Sequence, residues 1–273
     1  MKKKKYFIGC DPEIRFNYDK YEIEYHLSGK HIGHDHCNKI IEFRPDAGKP
    51  IQVTSNMAYL VMLFKKFVKK ENYDLFLTGG TGSPSTGGHV HFDYGSEEII
   101  NRTINIMAKW SNKFNLLRTE PGRDSREKQG YGNYLDKRIN APTSFEWRAP
   151  SSWLSDPRWT YCMLTIGWVA EKNLDTFEKS LDSWKKHIRH IKQYLTAKEW
   201  KMFYPYYNMW YSYANKNKYL PNFINIDKWE EWLKIVPAKI KFISKKALEQ
   251  NEFEITYLIN RETGKSVLVK SKK

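Results

Sequence analysis

Residues 144–150 read Ser-Phe-Glu-Trp-Arg-Ala-Pro. On a β-strand successive side chains point to opposite faces. Phe145 and Trp147 therefore share one face, and Glu146 and Arg148 the other. The bulky pair suits a core, whereas an acid and an arginine on the same strand face need partners. The same pattern stands earlier in the chain, at Glu42-Phe43-Arg44-Pro45. There Ile41 and Phe43 take one face and Glu42 and Arg44 the other. A cross-strand salt bridge explains one such pair. A second copy, again with proline close by, is the feature least explained by chance.

Other stretches work outward from these two. Gly87-Gly88-His89-Val90-His91-Phe92 puts two imidazoles on one strand face behind a pair of glycines. Imidazole ligates metals, and glycine lets a ligand come close, although H-x-H alone is a weak signal. Gly9-Cys10-Asp11-Pro12-Glu13 sets two carboxylates two residues apart. Such a pair offers hard oxygen ligands for magnesium, or else marks a solvated strand edge at Pro12. Residues 118–142 carry Arg118, Arg123, Arg126, Lys128, Tyr131, Lys137 and Arg138 without periodicity. A loop of that length inside a domain is often functional. Arginines grip phosphates and carboxylates with two parallel bonds, and the plain alternative is a solvated linker. Together these stretches predict a sheet face bearing Asp11, Glu13, Glu42, Arg44, His89, His91, Glu146 and Arg148. Burying so many charges without partners costs roughly several kcal/mol per ion, so the face calls for cations and a polyanion. His31, His34, His36 and Cys37 also cluster, but their spacing fits no closed zinc set.

Between these motifs, strands are expected at Tyr6–Phe16, Lys39–Arg44, Leu75–Leu77, His89–Phe92 and Ser144–Ala149. Apolar residues at helical spacing predict a helix over Thr54–Lys70. Ser96 caps a second helix that runs to about Leu117, with Glu97 and Glu98 in its first turn. Asp156-Pro157 opens a third helix, with more helix to about Tyr211. Glu252–Ile259 and Ser266–Lys270 read as a hairpin turning through Asn260–Gly264. The chain divides into a core over 1–170 and a mainly helical region over 171–273, the latter packed on the core.

The 273 residues are 40% hydrophobic, which supports a real core. No apolar run approaches the roughly 18–20 residues that span a bilayer, and no signal peptide is evident. Three cysteines form no disulfide pattern, which suits a reducing cytoplasm. The net charge is +15: residues 1–155 carry 24 Lys+Arg against 18 Asp+Glu, and residues 156–273 carry 22 against 13. The second part also holds seven of the ten tryptophans. A basic, aromatic surface there would suit phosphate or nucleic acid, although scattered lysines also serve plain solubility.

The order D-P-E, E-F-R-P, G-G-H-V-H-F, an Arg/Tyr-Gly loop and E-W-R-A-P-S resembles phage-type carboxylate–amine ligases. These are amidoligases of the glutamine synthetase/glutamate–cysteine ligase superfamily, and the resemblance covers about residues 7–155. It implies an α+β fold, a curved antiparallel sheet with helices on its outer face. It implies ATP and Mg2+, with Asp11, Glu13, Glu42, His89 and Glu146 on the metal and Asp35 as a companion. His91 and Arg44 would lie nearer ATP or substrate. Arg148 would bind phosphate, with Arg123, Arg126 and Arg138 as candidate loop arginines. The chain departs from glutamine synthetase in having Asp at position 11, a shorter acid whose metal contact could pass through water. It also has His36 where the phage ligases often show glycine.

The activity so implied is an ATP-dependent ligation of a small-molecule or peptide carboxylate to an amine through an acyl phosphate, with residues 78–88 closing over the site. The competing readings are a metal-dependent nuclease or hydrolase acting on nucleic acid, and a non-catalytic binding protein on a decayed ligase fold. Intact acids and arginines at every motif speak against decay. A Lys-, Asn-, Tyr- and Ile-rich composition suits an AT-rich phage or bacterial source, and hence a host cytoplasm.

Overall fold

A computed structural model of the chain describes residues 7–16, 21–27, 31–35, 37–65, 76–78, 85–235, 253–260 and 266–267. Among them are the strands β1 (Gly9–Cys10), β2 (Glu13–Phe16), β3 (Tyr21–Leu27), β4 (Ile32–Asp35), β5 (Cys37–Phe43), β6 (Phe76–Leu77), β7 (Val90–Asp93), β8 (Lys137–Asn140), β9 (Ser144–Trp147), β10 (Phe253–Asn260) and β11 (Ser266–Val267). The helices are α1 (Pro50–Lys65), α2 (Glu97–Phe114), α3 (Arg123–Lys128), α4 (Pro157–Lys172), α5 (Leu174–Ser180), α6 (Trp184–Lys192), α7 (Ala197–Asn215) and α8 (Ile226–Ile235). The class is mixed α+β, and every described strand pair is antiparallel.

Strands pair in the orders β1-β7-β9-β8, β4-β5-β2-β6 and β11-β10-β3. The expected single strand at Tyr6–Phe16 is two strands, because Pro12 has no N–H to give a ladder. The first two sheets nevertheless run into each other there. Asp11 N–H donates to the His89 carbonyl at 3.4 Å, and Glu13 N–H to the Gly87 carbonyl at 2.9 Å. Residues 9–13 thus run beside the β7 chain, and residues 13–15 lie against β5. The hairpin expected near the C-terminus forms as β10 and β11, and β10 also pairs with β3. The expected segments 66–70, 79–84, 261–265 and 268–270 lie outside the described residues.

The helix signals work as read. The Ser96 hydroxyl accepts the Ile99 N–H at 3.3 Å, and Asn115 closes α2 in the left-handed region, φ 54°. Asp156 caps α4 with Pro157 in its first turn. Helix α4 is buried along nearly its whole length and supports the sheet from behind. Gly167 makes that approach possible: a Cβ there would stand 3.2 Å from Val90 Cγ1 and 3.3 Å from Ile8 Cδ1. Phe145 and Trp147 point to the same side. Phe145 stacks on Phe92, and Trp147 meets Trp110 edge-on at 6.3 Å. Each such aromatic contributes about 1.5–3 kcal/mol by burial. The opposite face of the sheet is left for the charged residues.

The stretch 118–142 is a correction. It is not a loop but a 3-10 turn at Leu116–Thr119, then α3 and β8. Short elements with little apolar periodicity leave no sequence signal. Five of the seven tryptophans of the second part are also core rather than surface. Trp159, Trp168, Trp210, Trp229 and Trp232 are buried, in one cluster reaching from Ile8 to Trp232. Among the described residues no helix is long and apolar enough to cross a membrane.

Helices α2, α5, α6 and α7 are pinned together by a buried polar chain. Trp110 Nε1 donates to the Tyr207 hydroxyl at 2.8 Å, and that hydroxyl lies 2.8 Å from His187 Nε2. His187 Nδ1 lies 3.0 Å from Ser180 Oγ, which donates to the Phe177 carbonyl at 2.6 Å. Every donor has an acceptor only if His187 is neutral with its proton on Nδ1. Burial, and then the nearby His190, lower the His187 pKa to about 3. A base whose folded pKa is depressed stabilises the fold above its unfolded value of about 6.5 and loses that contribution as pH falls toward 3. Urea denaturation should therefore show stability declining below about pH 6.5. Tyr207→Phe, which orphans Trp110 Nε1, should cost about 1–3 kcal/mol.

Candidate active site

The register of the first sheet aligns one residue from each strand. Gly9 on β1 faces His91 on β7, His91 faces Glu146 on β9, and Glu146 faces Arg138 on β8. Two residues further along, Asp11 lies beside His89. Beyond that Glu13 faces Glu42 on β5. The alternation read in the sequence thus becomes a two-dimensional array on the face turned away from α4.

The side chains converge. His89 Nδ1 stands 3.0 Å from Asp11 Oδ1 and 3.3 Å from Glu146 Oε2. His91 Nε2 stands 3.0 Å from Asp11 Oδ2 and 3.5 Å from Glu146 Oε2. Arg138 pairs through Nε with the other Glu146 oxygen, and Arg44 pairs with Glu42. Asp11, Glu146 and His89 are almost wholly buried. Their contacts are close, yet Asp11 Oδ1, His89 Nδ1, His91 Nε2 and both Glu146 oxygens lack hydrogen-bond geometry to any described partner. Polar atoms buried in that condition are costly. They fit a cation, which takes lone pairs from several directions. One ligand atom each from Asp11, His91 and Glu146 falls within 4.8 Å of the others.

The electrostatics follow from this crowding. Burial alone would raise the Asp11 pKa, but His89 and His91 outweigh it and hold Asp11 well below the usual carboxylate range. His91 is pulled the other way. Burial disfavours its charge, yet Asp11 and Glu146 raise its pKa to about 10. Glu42 is pushed up to about 8, first by burial and then by Asp11 beside it. Glu146 is lowered despite its burial, chiefly by His91. A divalent cation would relieve the excess of carboxylates.

Of the residues anticipated from sequence, Asp11, Glu42, Arg44, His89, His91, Glu146 and Arg138 meet here. His91, expected nearer ATP or substrate, stands with Asp11 and Glu146. Glu13 is adjacent, its carboxylate accepting the Gly87 N–H at 2.5 Å. Arg148 is half-buried, with an Nε that finds no hydrogen-bond partner among the described residues. The Asp35 side chain and all of His36 lie outside the described residues. Of the zinc-like cluster, His31 is buried with Nδ1 2.9 Å from the Arg44 carbonyl, a structural contact.

Arg123 and Arg126 are corrections, because neither presents a free guanidinium to a phosphate. Arg123 donates to the carbonyls of Ala149, at 2.6 Å, and Gly132. Arg126 donates to those of Thr86 and, at 2.9 Å, Arg148. Both are buried and lash the ends of β9 and of the glycine stretch in place. Gly132, at φ 77°, permits this: a Cβ there would meet Arg126 Nε at 2.7 Å.

The sequence reading passed over two charged residues on the strands that carry the site, and a third in the arginine brace behind it. Arg15 is buried two residues after Glu13 on β2. Asp93 stands two residues after His91 on β7. The spacing rule that linked Asp11 to Glu13 and His89 to His91 would have found both. Glu120 is buried, accepts the Ser151 N–H at 2.9 Å and lies 3.5 Å from Arg123. No local pattern marks it.

The family model described as phage phiEco32-like COOH.NH2 ligase-type 2 matches residues 26–236. No curated protein matches the sequence. Among solved structures, a bifunctional glutathione synthetase from Pasteurella multocida is similar over 86% of this chain and 50% of its own, at 8% identity and a TM-score of 0.41. The chain spans about half the length of that protein.

Proposed function

Because the chain belongs to the phage phiEco32-like COOH.NH2 ligase-type 2 family, we propose that it is an ATP-dependent ligase joining a carboxylate to an amine through an acyl phosphate, on a glutamine synthetase-like sheet. The product is an amide or isopeptide. The observation that carries this reading is the set of buried, unsatisfied ligand atoms on Asp11, His89, His91 and Glu146. Two carboxylates with imidazole suit magnesium or manganese.

In this reading Asp11, His91 and Glu146 hold the cation, with His89 and Glu42 alongside. Bound magnesium would neutralise charge on the phosphates during phosphoryl transfer. Arg138 and Arg148, on the same face, donate to the oxygens of the transferred group. Gly9 and Gly87 keep the floor open: a Cβ at Gly87 would lie 2.4 Å from His89 Nε2. Arg123 and Arg126 hold the strand ends so that these groups stay in register.

The test is ADP release with Mg2+ across pairs of carboxylates and amines. ADP should appear only when both partners are present, or fastest then. Magnesium-dependent cleavage of nucleic acid without nucleotide, and no ADP with any pair, would replace the ligase reading with the hydrolase one.

A further inference from the structure

Beside the Asp11–His91–Glu146 cluster lies a cavity of about 350 Å³, walled by Gly9, Asp11, Arg44, His91, Asp93 and Ser144. That is the small end of the range for ligand pockets, about 300–1,000 Å³. It suits a group of amino-acid size rather than a whole nucleotide. Gly9 leaves its floor open, since a Cβ there would press on His91 Cβ at 3.2 Å.

The charges around the cavity are matched except at one place. Asp11 lies against His89 and His91, and Arg44 against Glu42. Asp93 shares the His91 face of β7 and faces Ser144 in register. Among the described residues no cation pairs with the Asp93 carboxylate. The Asp93 backbone is fixed from behind, its N–H donating to the Glu171 carboxylate at 2.9 Å. A half-buried carboxylate beside a hydroxyl recognises a cation that can donate several hydrogen bonds.

From this geometry we propose that the cavity seats the amine substrate, and that this substrate is a primary ammonium on a short chain, held by Asp93 and Ser144. The inference rests on the ligase reading above. Asp93 is two residue steps along the strand from His91, about 6.8 Å, so the nitrogen is held within one small-molecule length of the cation cluster. A carboxylate placed against Asp93 would be repelled by it.

Hydroxylamine, a nucleophile uncharged at neutral pH, separates the two readings. The wild type is assayed for hydroxamate with the common amino acids as carboxylates. It is then assayed for ADP release with the same carboxylates and ethylamine, putrescine or lysine as amine. Thermal melts with each amine alone report binding without turnover. Asp93→Asn should raise the KM for the best amine by about tenfold or more. The ratio of amine to hydroxylamine kcat/KM should fall by a similar factor, and the amine-induced rise in Tm should be lost. Neither hydroxamate nor ADP with any carboxylate would overturn the ligase reading, and this inference with it. Hydroxamate formation with an unchanged amine-to-hydroxylamine ratio and an unchanged melting shift in Asp93→Asn would overturn the amine seat alone.

Discussion

Glu146→Gln should lower ADP release by about a thousandfold or more while lowering the melting temperature by only a few degrees. The substitution keeps the shape of the side chain and removes one charge. Glu146 is the residue on which the array converges. Its Oε2 faces both His89 and His91, its Oε1 pairs with Arg138, and the residue is wholly buried. An amide there supplies one neutral oxygen in place of a carboxylate. Loss of a ligand of that kind commonly costs several kcal/mol of transition-state stabilisation, and each 1.4 kcal/mol is about a tenfold rate change. Stability falls with it, because the Glu146 pKa is held below its ordinary value, despite burial, chiefly by His91, and a carboxylate whose folded pKa is depressed stabilises the fold near neutral pH, a contribution the amide gives up. Manganese binding, followed by paramagnetic resonance, should weaken at least about tenfold. A variant that keeps turnover within about tenfold of the wild type and still binds manganese would remove Glu146 from the cation site.

The legible part of this protein is the part with a period. Phe145-Glu146-Trp147-Arg148 announces its own two faces, and β9 presents them as read. Helices α2 and α4 announce themselves through Ser96, Asp156 and Pro157, whose side-chain chemistry is local. The convergence of Asp11 with Glu146 could be inferred only because both were odd on their own strands. Register decides which residue meets which, and register is a property of pairs of strands. Asp93 and Arg15 were missed although the same i, i+2 spacing marks them, since neither lies inside a motif. Arg123 and Arg126 were misread for a different reason. An arginine in a glycine-rich stretch has the same composition whether it serves a phosphate or a carbonyl, and only tertiary structure tells the two apart.

Arg123→Met should therefore lower the melting temperature by about 10 °C, a loss of about 3–5 kcal/mol, and not act first on turnover. Methionine keeps much of the apolar stem, so packing against Tyr134, whose ring lies 4.7 Å beneath the guanidinium, is partly retained. The polar connections are not. The Ala149 and Gly132 carbonyls lose their donor, and Glu127 loses its contact at 2.9 Å. Glu120 loses the cation that most strongly favours its ionised form. Burial already pushes its pKa up to about 7 against the pull of Arg123. Without that pull it protonates or sits in the core as an uncompensated charge. Arg138→Met is the control: Arg138 is nearly half exposed on β8, so its loss should leave the melting temperature within a few degrees while ADP release falls. Calorimetry on both variants, with ADP release measured well below either transition, separates an arginine that holds the strand ends from one that meets the substrate. If Arg123→Met melts with the wild type and is silent in turnover only, Arg123 belongs with the phosphate-binding arginines after all.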